Sequence, residues 1–413
     1  ATEAGRVLGR PVSFSGLDLS LLPSPRLVLQ GLKVGNPPGF SSPSLAAAGE
    51  LEAGISWSSL LGRRIRIRQL TFRGVEVFVE RLPDGRTNLE GLALDLPRPV
   101  GGPGLLAAAS SPPGVSLEIS RILLEEIHIR LDDRLTGMKA LIEGLSLDAG
   151  VEDLPLSGGS LDILQQADLG GRLGIRAISG EGIQLQGLDC GFSLREGVAT
   201  LASGKSTLND GVLAFSASVD LQEAGRPACR LCLELGGNRV SPELARRCLS
   251  PVLSFFAGVF EGKVEKGKLD LSWKGTTLDA LNASLAGKGA LELSLGVLDL
   301  SRQEKFGWLA KMMAGDALTF SELEASFQAG GGKVSNVVKL TAPETGLEFT
   351  GTLHLQDRTV DGWLKASGKL TRLPLMGERP LHVTGPLEHP QVEIGELLQE
   401  EAEEKIEEKL QEV

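Results

Sequence analysis

Short runs in which apolar and polar residues alternate make up much of the chain, and turn-forming residues separate them. The clearest case lies between Leu188 and Leu221, where turns at Gly197 and at residues 209–211 divide three such runs. A period of two predicts strands with one buried face. Three alternating runs joined by short turns therefore predict a β-meander here.

The same layout occurs a second time further along the chain. The spacing of Leu188, Phe192 and Gly197 returns at Leu323, Phe327 and Gly332, and after a slip of one residue the third run returns as Leu347, Phe349, Leu353 and Leu355. Repetition of one unit predicts a repeat-built sheet. We therefore predict a mainly β fold: an elongated, curled antiparallel β-meander sheet that forms a hydrophobic groove, with a few short helices and a C-terminal amphipathic helix.

The groove follows from the need to bury the apolar face of these strands. The sequence shows no obvious second sheet, so the first sheet is expected to curl around itself or around acyl chains. The residues predicted to line the groove are Leu213, Phe215, Val219, Leu347, Phe349 and Leu353. The alternative is that these side chains form an ordinary core against the helices.

Helical signals are few, and they help to divide the chain. Ser-Pro steps at 241–242 and 250–251 predict helix over about 241–260, and a capping box at 301–304 predicts a helix over about 302–314. An acidic amphipathic helix is predicted over 394–413. A linker or long loop is predicted over 97–114, rich in Pro and Gly, between an N-terminal β region (1–96) and a repeated meander region (115–393).

The composition narrows the class of partner. The formal net charge is −11 and the sequence pI is about 5.1, whereas nucleic-acid-binding proteins carry clustered basic surfaces. Aromatic residues make up only 4% of the chain and Tyr is absent, so platforms for base stacking are not expected. We expect no nucleic-acid partner.

Motifs for catalysis, cofactors or metals are not found. The four histidines are scattered, and no pair has metal-ligand spacing. Gly204-Lys205-Ser206 imitates the end of a phosphate-binding loop, but the first glycine of that motif would fall at Ala199. We therefore expect a protein without catalytic activity, cofactor or metal.

The four cysteines leave their pairing open. Cys229 and Cys232 have C-x-x-C spacing, but they lie in a strand-like run that would aim them at opposite faces. Structural cysteines, or a pairing of Cys190 with one of the others, are therefore favoured over a redox motif. The state of Cys248 is equally open.

A strand with two very different faces lies at 63–68, where Arg64, Arg66 and Arg68 alternate with Ile65 and Ile67. One interpretation is a charged solvent face that protects the sheet. The other is contact of the three arginines with anionic lipid head groups. No run of the chain reaches the ~18 to 20 apolar residues that a transmembrane helix needs.

Four stretches carry a resemblance to a known family. Gly-Arg-Pro-Val (9–12), Leu-Leu-Pro-Ser-Pro-Arg-Leu (21–27), Gly-Leu-Lys-Val-Gly-Asn-Pro-Pro-Gly-Phe (31–40) and Asp-Gly-Arg-Thr-Asn-Leu-Glu-Gly-Leu (84–92) resemble the N-terminal signature of the AsmA family of bacterial envelope proteins. Residues 323–368 and 381–392 resemble the C-terminal part of that family.

The resemblance implies a location and a function. Family members carry one N-terminal transmembrane helix and a long periplasmic β region, so an apolar helix is expected upstream of Ala1. The family is related to the bridge-like lipid transfer proteins, which implies an inner-membrane-anchored periplasmic protein that shields and transfers phospholipid or another acyl lipid in support of outer-membrane biogenesis. The alternative is a non-catalytic scaffold or assembly factor for outer-membrane proteins, whose sheet edges recruit a protein partner.

Overall fold

A computed structural model describes residues 5, 9–57, 59, 64–90, 116–154, 160–223, 225–248, 260–299, 317–369, 380–387 and 390–393. These residues form two compact units: unit 1 contains residues 1–208 and 214–229, and unit 2 contains residues 209–213 and 230–413. The predicted helix at 302–314 and the predicted C-terminal helix lie outside the described residues, as does the segment 97–114.

Strands dominate both units, which confirms the mainly β prediction. The first eleven strands are β1 (Val12–Ser13), β2 (Gly16–Ser20), β3 (Arg26–Gly35), β4 (Ser44–Ile55), β5 (Arg64–Arg81), β6 (Ser116–Ile119), β7 (Arg121–Asp133), β8 (Met138–Asp153), β9 (Asp168–Gly180), β10 (Ile183–Arg195) and β11 (Val198–Leu208). They belong to unit 1.

The remaining strands complete unit 1 and build unit 2. They are β12 (Gly211–Asp220), β13 (Ala228–Gly236), β14 (Arg239–Val240), β15 (Phe260–Lys274), β16 (Ala286–Asp299), β17 (Ala317–Gly330), β18 (Lys333–Ala342), β19 (Thr345–His354), β20 (Thr359–Gly368), β21 (Leu381–Pro386) and β22 (Gln391–Glu393). Three short helices are described: α1 (Ser160–Gln166), α2 (Pro242–Cys248) and α3 (Leu278–Ser284). Helix α2 confirms the start of the predicted helix near Ser241, whereas α1 and α3 had no clear signal in the sequence.

The turns of the two meanders lie where the sequence places them. Glu196 and Gly197 between β10 and β11 have positive φ, and so do Asn209 and Asp210 between β11 and β12. Successive residues with φ > 0 suit tight two-residue hairpin turns, which favour Gly, Asn and Asp. In the second meander Gly331 and Gly332 form the corresponding turn between β17 and β18.

Two pairings depart from the antiparallel pattern. β5 runs parallel to β6, with Ile67 opposite Ile119, and parallel to β7, with Phe72 opposite Leu124. Parallel neighbours cannot be joined by a tight hairpin and need a long connection. In the chain, 34 residues separate the end of β5 at Arg81 from the start of β6 at Ser116, which is long enough for such a connection.

Unit 2 has a densely packed core on the apolar face of its strands. One cross-strand row of directly opposed residues runs Val264, Leu293, Leu323, Leu340, Leu347 and Ala366, and all six are buried. Phe260 and Phe320 meet edge to face with ring centroids 5.8 Å apart, a favoured aromatic geometry.

Candidate functional site

Unit 1 carries a continuous apolar surface on one face of its sheet. Directly opposed residues point to the same face, and the pairings from β2 to β10 align them in rows. One row runs Leu17, Leu29, Leu51, Phe72, Leu124, Leu147, Leu173 and Cys190. A second runs Leu19, Leu27, Ala53, Leu70, Ile122 and Ala149. The apolar face of unit 1 is therefore unbroken across eight strands.

The two units differ in how far this face is covered. In unit 1 the residues from Leu29 to Leu173 in the first row are only partly buried, although all are apolar. In unit 2 the corresponding row from Val264 to Ala366 is buried throughout. Both rows consist of directly opposed apolar residues, but among the described residues the row of unit 1 stays in contact with solvent and the row of unit 2 does not.

The residues predicted to line a groove fall into both environments. Leu347, Phe349 and Leu353 belong to the packed core of unit 2, and Leu213 is also buried. Phe215 and Val219 in unit 1 are partly buried. Their role as lining residues stays a prediction, because burial alone suits both a core and a groove wall.

Phe215 has a well-defined neighbourhood in unit 1. A Cβ added to Gly204 would lie 2.5 Å from the ring of Phe215 and 2.9 Å from Cβ of Cys190. The ring therefore occupies the space that a side chain at position 204 would need. Gly204 is thus part of the packing of β10, β11 and β12. Gly204, Lys205 and Ser206 all lie within the strand β11, so they do not form a phosphate-binding loop.

The opposite face of the unit 1 sheet is charged. Arg73 contacts Glu50, Glu52 and Glu125, and the hydrogen bonds that it donates to Glu125, Glu50 and Glu52 raise the pKa of its guanidinium. Arg121 lies 2.6 Å from Asp148, whose pKa is lowered chiefly by that hydrogen bond. The sheet of unit 1 is therefore apolar on one face and carries these ion pairs on the other.

The three arginines singled out in the sequence lie in β5. Arg66 and Arg68 are exposed, and Arg66 pairs with Glu118 at 2.9 Å. The side chain of Arg64 lies outside the described part of the structure. Contact of these arginines with a membrane surface stays a prediction.

Three of the sequence motifs meet at one corner of unit 1, around the buried side chain of Asn88. Its Nδ2 donates to the carbonyl of Phe78 at 2.7 Å and to Oδ1 of Asn36 at 3.2 Å, and its Oδ1 accepts from the backbone of Glu80 at 2.9 Å. Arg10 donates from Nη2 to the carbonyl oxygens of Asn88 and Glu90. The motifs at 9–12, 31–40 and 84–92 therefore form one polar cluster.

Glu80 completes this cluster, and the sequence analysis did not identify it. Its Oε2 accepts hydrogen bonds from the backbone and hydroxyl of Ser41 at 2.8 and 2.7 Å, and Oε1 lies 2.9 Å from Nη2 of Arg134. A buried carboxylate needs such partners. The sequence around Glu80 shows only a strand in which apolar and polar residues alternate. That pattern does not predict that Glu80 is buried beside Asn88 and Ser41.

The described residues offer little chemistry for catalysis. They contain no group of three or more His, Cys, Asp or Glu side chains placed to hold a metal ion. His382 lies 2.8 Å from Asp361 and stacks on Trp363 with ring centroids 4.4 Å apart. Asp361 and Trp363 of this grouping are exposed to solvent on β20.

Three cysteines are described, and none forms a disulfide. Cys190, Cys229 and Cys232 are free thiols, while the side chain of Cys248 lies outside the described residues. Burial raises the pKa of the Cys190 thiol, and the nearby Asp189 raises it further. Cys190 ends the first apolar row, so it acts as a small apolar side chain there.

A shallow depression of about 700 Å³ lies on the solvent face of unit 2. Its floor follows the directly opposed row Gly289, Phe327, Asn336 and Gly351. Lys268, Lys288, Gln328, Ser335 and Thr350 are among the residues around it. It lies on the opposite side of the sheet from the packed core.

Comparison with known proteins supports the family resemblance for the N-terminal part of the chain. Comparison with curated proteins finds no match. No helix among the described residues is long and apolar enough to cross a membrane. The resemblance suggested for 323–368 and 381–392 stays a prediction. Residues 3–143, which include all four N-terminal motifs and strands β1 to β7, match the model of the AsmA family.

Proposed function

We propose that this protein shields and transfers phospholipid or another acyl lipid along the apolar face of its β-sheet. In this proposal it acts in the periplasm of a Gram-negative bacterium, anchored to the inner membrane by a helix upstream of Ala1, and supports outer-membrane biogenesis. It acts without catalysis, cofactor or metal. The AsmA family match over residues 3–143 fits an envelope role.

The observation that carries the proposal is the partly exposed apolar face of unit 1. The rows from Leu17 to Cys190 and from Leu19 to Ala149 present aliphatic and aromatic side chains across eight strands. Acyl chains gain about 0.8 kcal/mol for each methylene removed from water. A lipid on this surface would bury both its own chains and the leucines of the sheet, so no bond needs to be made or broken.

The charged face of the same sheet explains why lipid would choose one side only. Glu125 follows Leu124 in β7 and Asp148 follows Leu147 in β8, and both carboxylates are paired with arginines on the far face. An acyl chain placed there would strip water from these ion pairs at a cost in free energy. Leu124 and Glu125, or Leu147 and Asp148, are neighbours in one strand but lie on opposite faces of the sheet. Each pair can therefore test which face binds lipid.

The experiment places a photoreactive residue at Leu124, Leu147, Phe215, Glu125 or Asp148 of the full chain, produced in the envelope of a Gram-negative host. We expect phospholipid adducts at Leu124, Leu147 and Phe215, and few at Glu125 and Asp148. Mass spectrometry of lipids extracted from the purified wild-type protein identifies the bound species. Equal labelling on both faces, or no lipid in the extract, would contradict the proposal.

The second candidate is a non-catalytic scaffold or assembly factor for outer-membrane proteins. The observation that favours it is the set of ordered, unpaired hydrogen-bonding groups on a sheet edge such as β2, which pairs with β3 alone among the described strands. In that case the same photoreactive residues would yield protein adducts, and the lipid extract would be empty. The two candidates are thus separated by the chemical nature of the adduct.

A further inference from the structure

Exposed large apolar side chains gather at one edge and corner of unit 1. Leu17 is 60% exposed, Leu19 61%, Leu21 50%, Leu22 77% and Trp57 46%. Isolated exposed leucines are common in folded proteins, but contiguous exposed patches mark interaction sites. We name the surface formed by these five residues the edge surface.

The pairing pattern shows how the edge surface joins the apolar face. Leu17 lies opposite Leu29 and Leu19 lies opposite Leu27, so the two exposed leucines begin the two apolar rows of unit 1. Asp18 and Ser20 alternate with them and point to the other face. The edge surface is therefore the open end of the same apolar surface that continues to Leu173.

The corner beside β2 is held in place by Trp57. Its Nε1 donates to the carbonyl of Pro23 at 3.4 Å, which ties the indole to the turn that carries Leu21 and Leu22. Trp is enriched at membrane interfaces, because its ring is apolar and its N–H is polar. The indole of Trp57 is thus bonded to the residue that follows Leu22, which is the most exposed leucine of the corner.

Positive charge accompanies these apolar residues in an acidic chain. Arg26, at the start of β3, and Arg68, in β5, are exposed and have no ion pair among the described residues. Arg26 lies opposite Ser20 of β2, so its side chain leaves the edge of the sheet on the face opposite to Leu17 and Leu19. A bilayer that meets this edge end-on would contact both faces, and arginines at such an edge suit anionic head groups.

We propose that the edge surface docks on the surface of a phospholipid bilayer, with Leu17, Leu19, Leu21, Leu22 and Trp57 in the interfacial region and Arg26 and Arg68 near anionic head groups. This inference rests on the proposed function, since it assigns the point at which lipid moves between a bilayer and the apolar rows. The contact belongs to the folded β domain and is independent of any anchoring helix.

A bilayer suits this surface better than a partner strand does. β2 has only five residues, and short edge strands limit pairing with another sheet. The contact surface is instead made of side chains that project from the sheet, and it includes a turn with Pro23 and Pro25 that cannot donate backbone hydrogen bonds. Side-chain insertion into an interface needs no strand pairing.

The test is co-flotation of the full chain with phosphatidylcholine vesicles, with and without phosphatidylglycerol. We expect wild type to float with both kinds and more strongly with the anionic vesicles. Leu22→Asp and Trp57→Ser should each weaken vesicle binding by about tenfold or more. Each removes an apolar side chain that the bilayer interface would bury in the bound state. Arg26→Glu should weaken binding to anionic vesicles only.

The matched control is Leu278→Asp in unit 2, where the leucine is 71% exposed but lies far along the chain in α3. It should bind vesicles as wild type does. Equal loss in Leu278→Asp and Leu22→Asp, or no vesicle binding by the folded wild type, would overturn the proposal. Light scattering that shows a dimer in wild type and a monomer in Leu22→Asp, without vesicle binding, would assign the surface to a second copy instead and also overturn it.

The outcome is separable from that of the proposed function. If lipid is extracted from the wild-type protein but the protein does not bind vesicles, the proposed lipid transfer stands and the proposed docking surface is wrong. Vesicle binding without extracted lipid would retain the docking surface as a membrane contact and reject carriage along unit 1. Circular dichroism of each variant checks that the fold is kept.

Discussion

Asn88 donates a hydrogen bond from its side-chain amide to the carboxamide oxygen of Asn36 at 3.2 Å, although the two residues are 52 positions apart. Asn88 also bonds the backbone of Phe78 and Glu80 and is fully buried. One side chain therefore joins two motifs that the sequence shows only as separate turns. The corner of unit 1 depends on these contacts.

We expect Asn88→Ala to destabilise the protein by about 2 to 4 kcal/mol, because it leaves several buried backbone groups and Asn36 without their partner. Urea unfolding followed by circular dichroism measures the change. Asn282→Ala is the control, since Asn282 makes a single side-chain bond, 3.3 Å to the carbonyl of Leu355. A loss for Asn88→Ala no larger than that of the control would count against the structural role of the cluster.

Gly204→Ala should destabilise unit 1 by about 1 to 3 kcal/mol, because the new methyl would lie 2.5 Å from the ring of Phe215. Gly150→Ala is the control in the same unit, where the nearest atom to an added Cβ is a carbonyl oxygen at 3.7 Å. That variant should change stability little. Thermal melts of both variants test the difference, and equal effects would show that Phe215 does not pack on Gly204.

We expect a substitution at Asn336 to raise stability instead of lowering it. Its side chain is buried on the apolar face of β18, and neither of its polar atoms is hydrogen-bonded to a described residue. An unsatisfied buried amide costs about 1 to 3 kcal/mol. Asn336→Val should therefore raise the stability of the protein, and the reciprocal change Val334→Asn, at a buried position of the same strand face, should lower it. A lowered melting temperature for Asn336→Val would reveal a partner for this amide.

Phe349→Asp and Leu124→Asp compare a buried with a partly exposed apolar position. Phe349 is 1% exposed, so a carboxylate there should cost about 3 kcal/mol or more. Leu124 is only partly buried, so its carboxylate stays hydrated and the loss should be about 1 kcal/mol. Guanidinium unfolding measures both values. Similar losses would mean that the apolar face of unit 1 is as closed as that of unit 2.

Cys190 should resist alkylation in the folded protein. Burial, together with Asp189, raises the pKa of its thiol, so the thiolate that reacts is scarce at about pH 8. Peptide mass spectrometry after iodoacetamide should find Cys190 unmodified under native conditions and modified in denaturant. Cys232, which is less buried, serves as the comparison. Rapid native labelling of Cys190 would show that the end of the first apolar row is open to solvent.

The sequence by itself determined the local structure of this protein. Alternation of apolar and polar residues has a period of two, which only strands satisfy, and Gly197 and Asn209 mark turns because their positive φ suits Gly and Asn. The motifs at 9–12, 31–40 and 84–92 likewise identified the AsmA family in the N-terminal part of the chain, as the match over 3–143 shows. These features depend on neighbouring residues alone.

The tertiary structure decided what the apolar faces do. Leu124 in unit 1 and Leu347 in unit 2 each belong to a row of directly opposed apolar residues, yet the first is partly exposed and the second is buried. The parallel pairing of β5 with β7 and the meeting of Asn36, Glu80 and Asn88 were equally absent from the pattern. Each of these features joins residues that are far apart in the chain. The periodicity of a strand predicts which of its sides is apolar, but it does not predict which residues pack against that side.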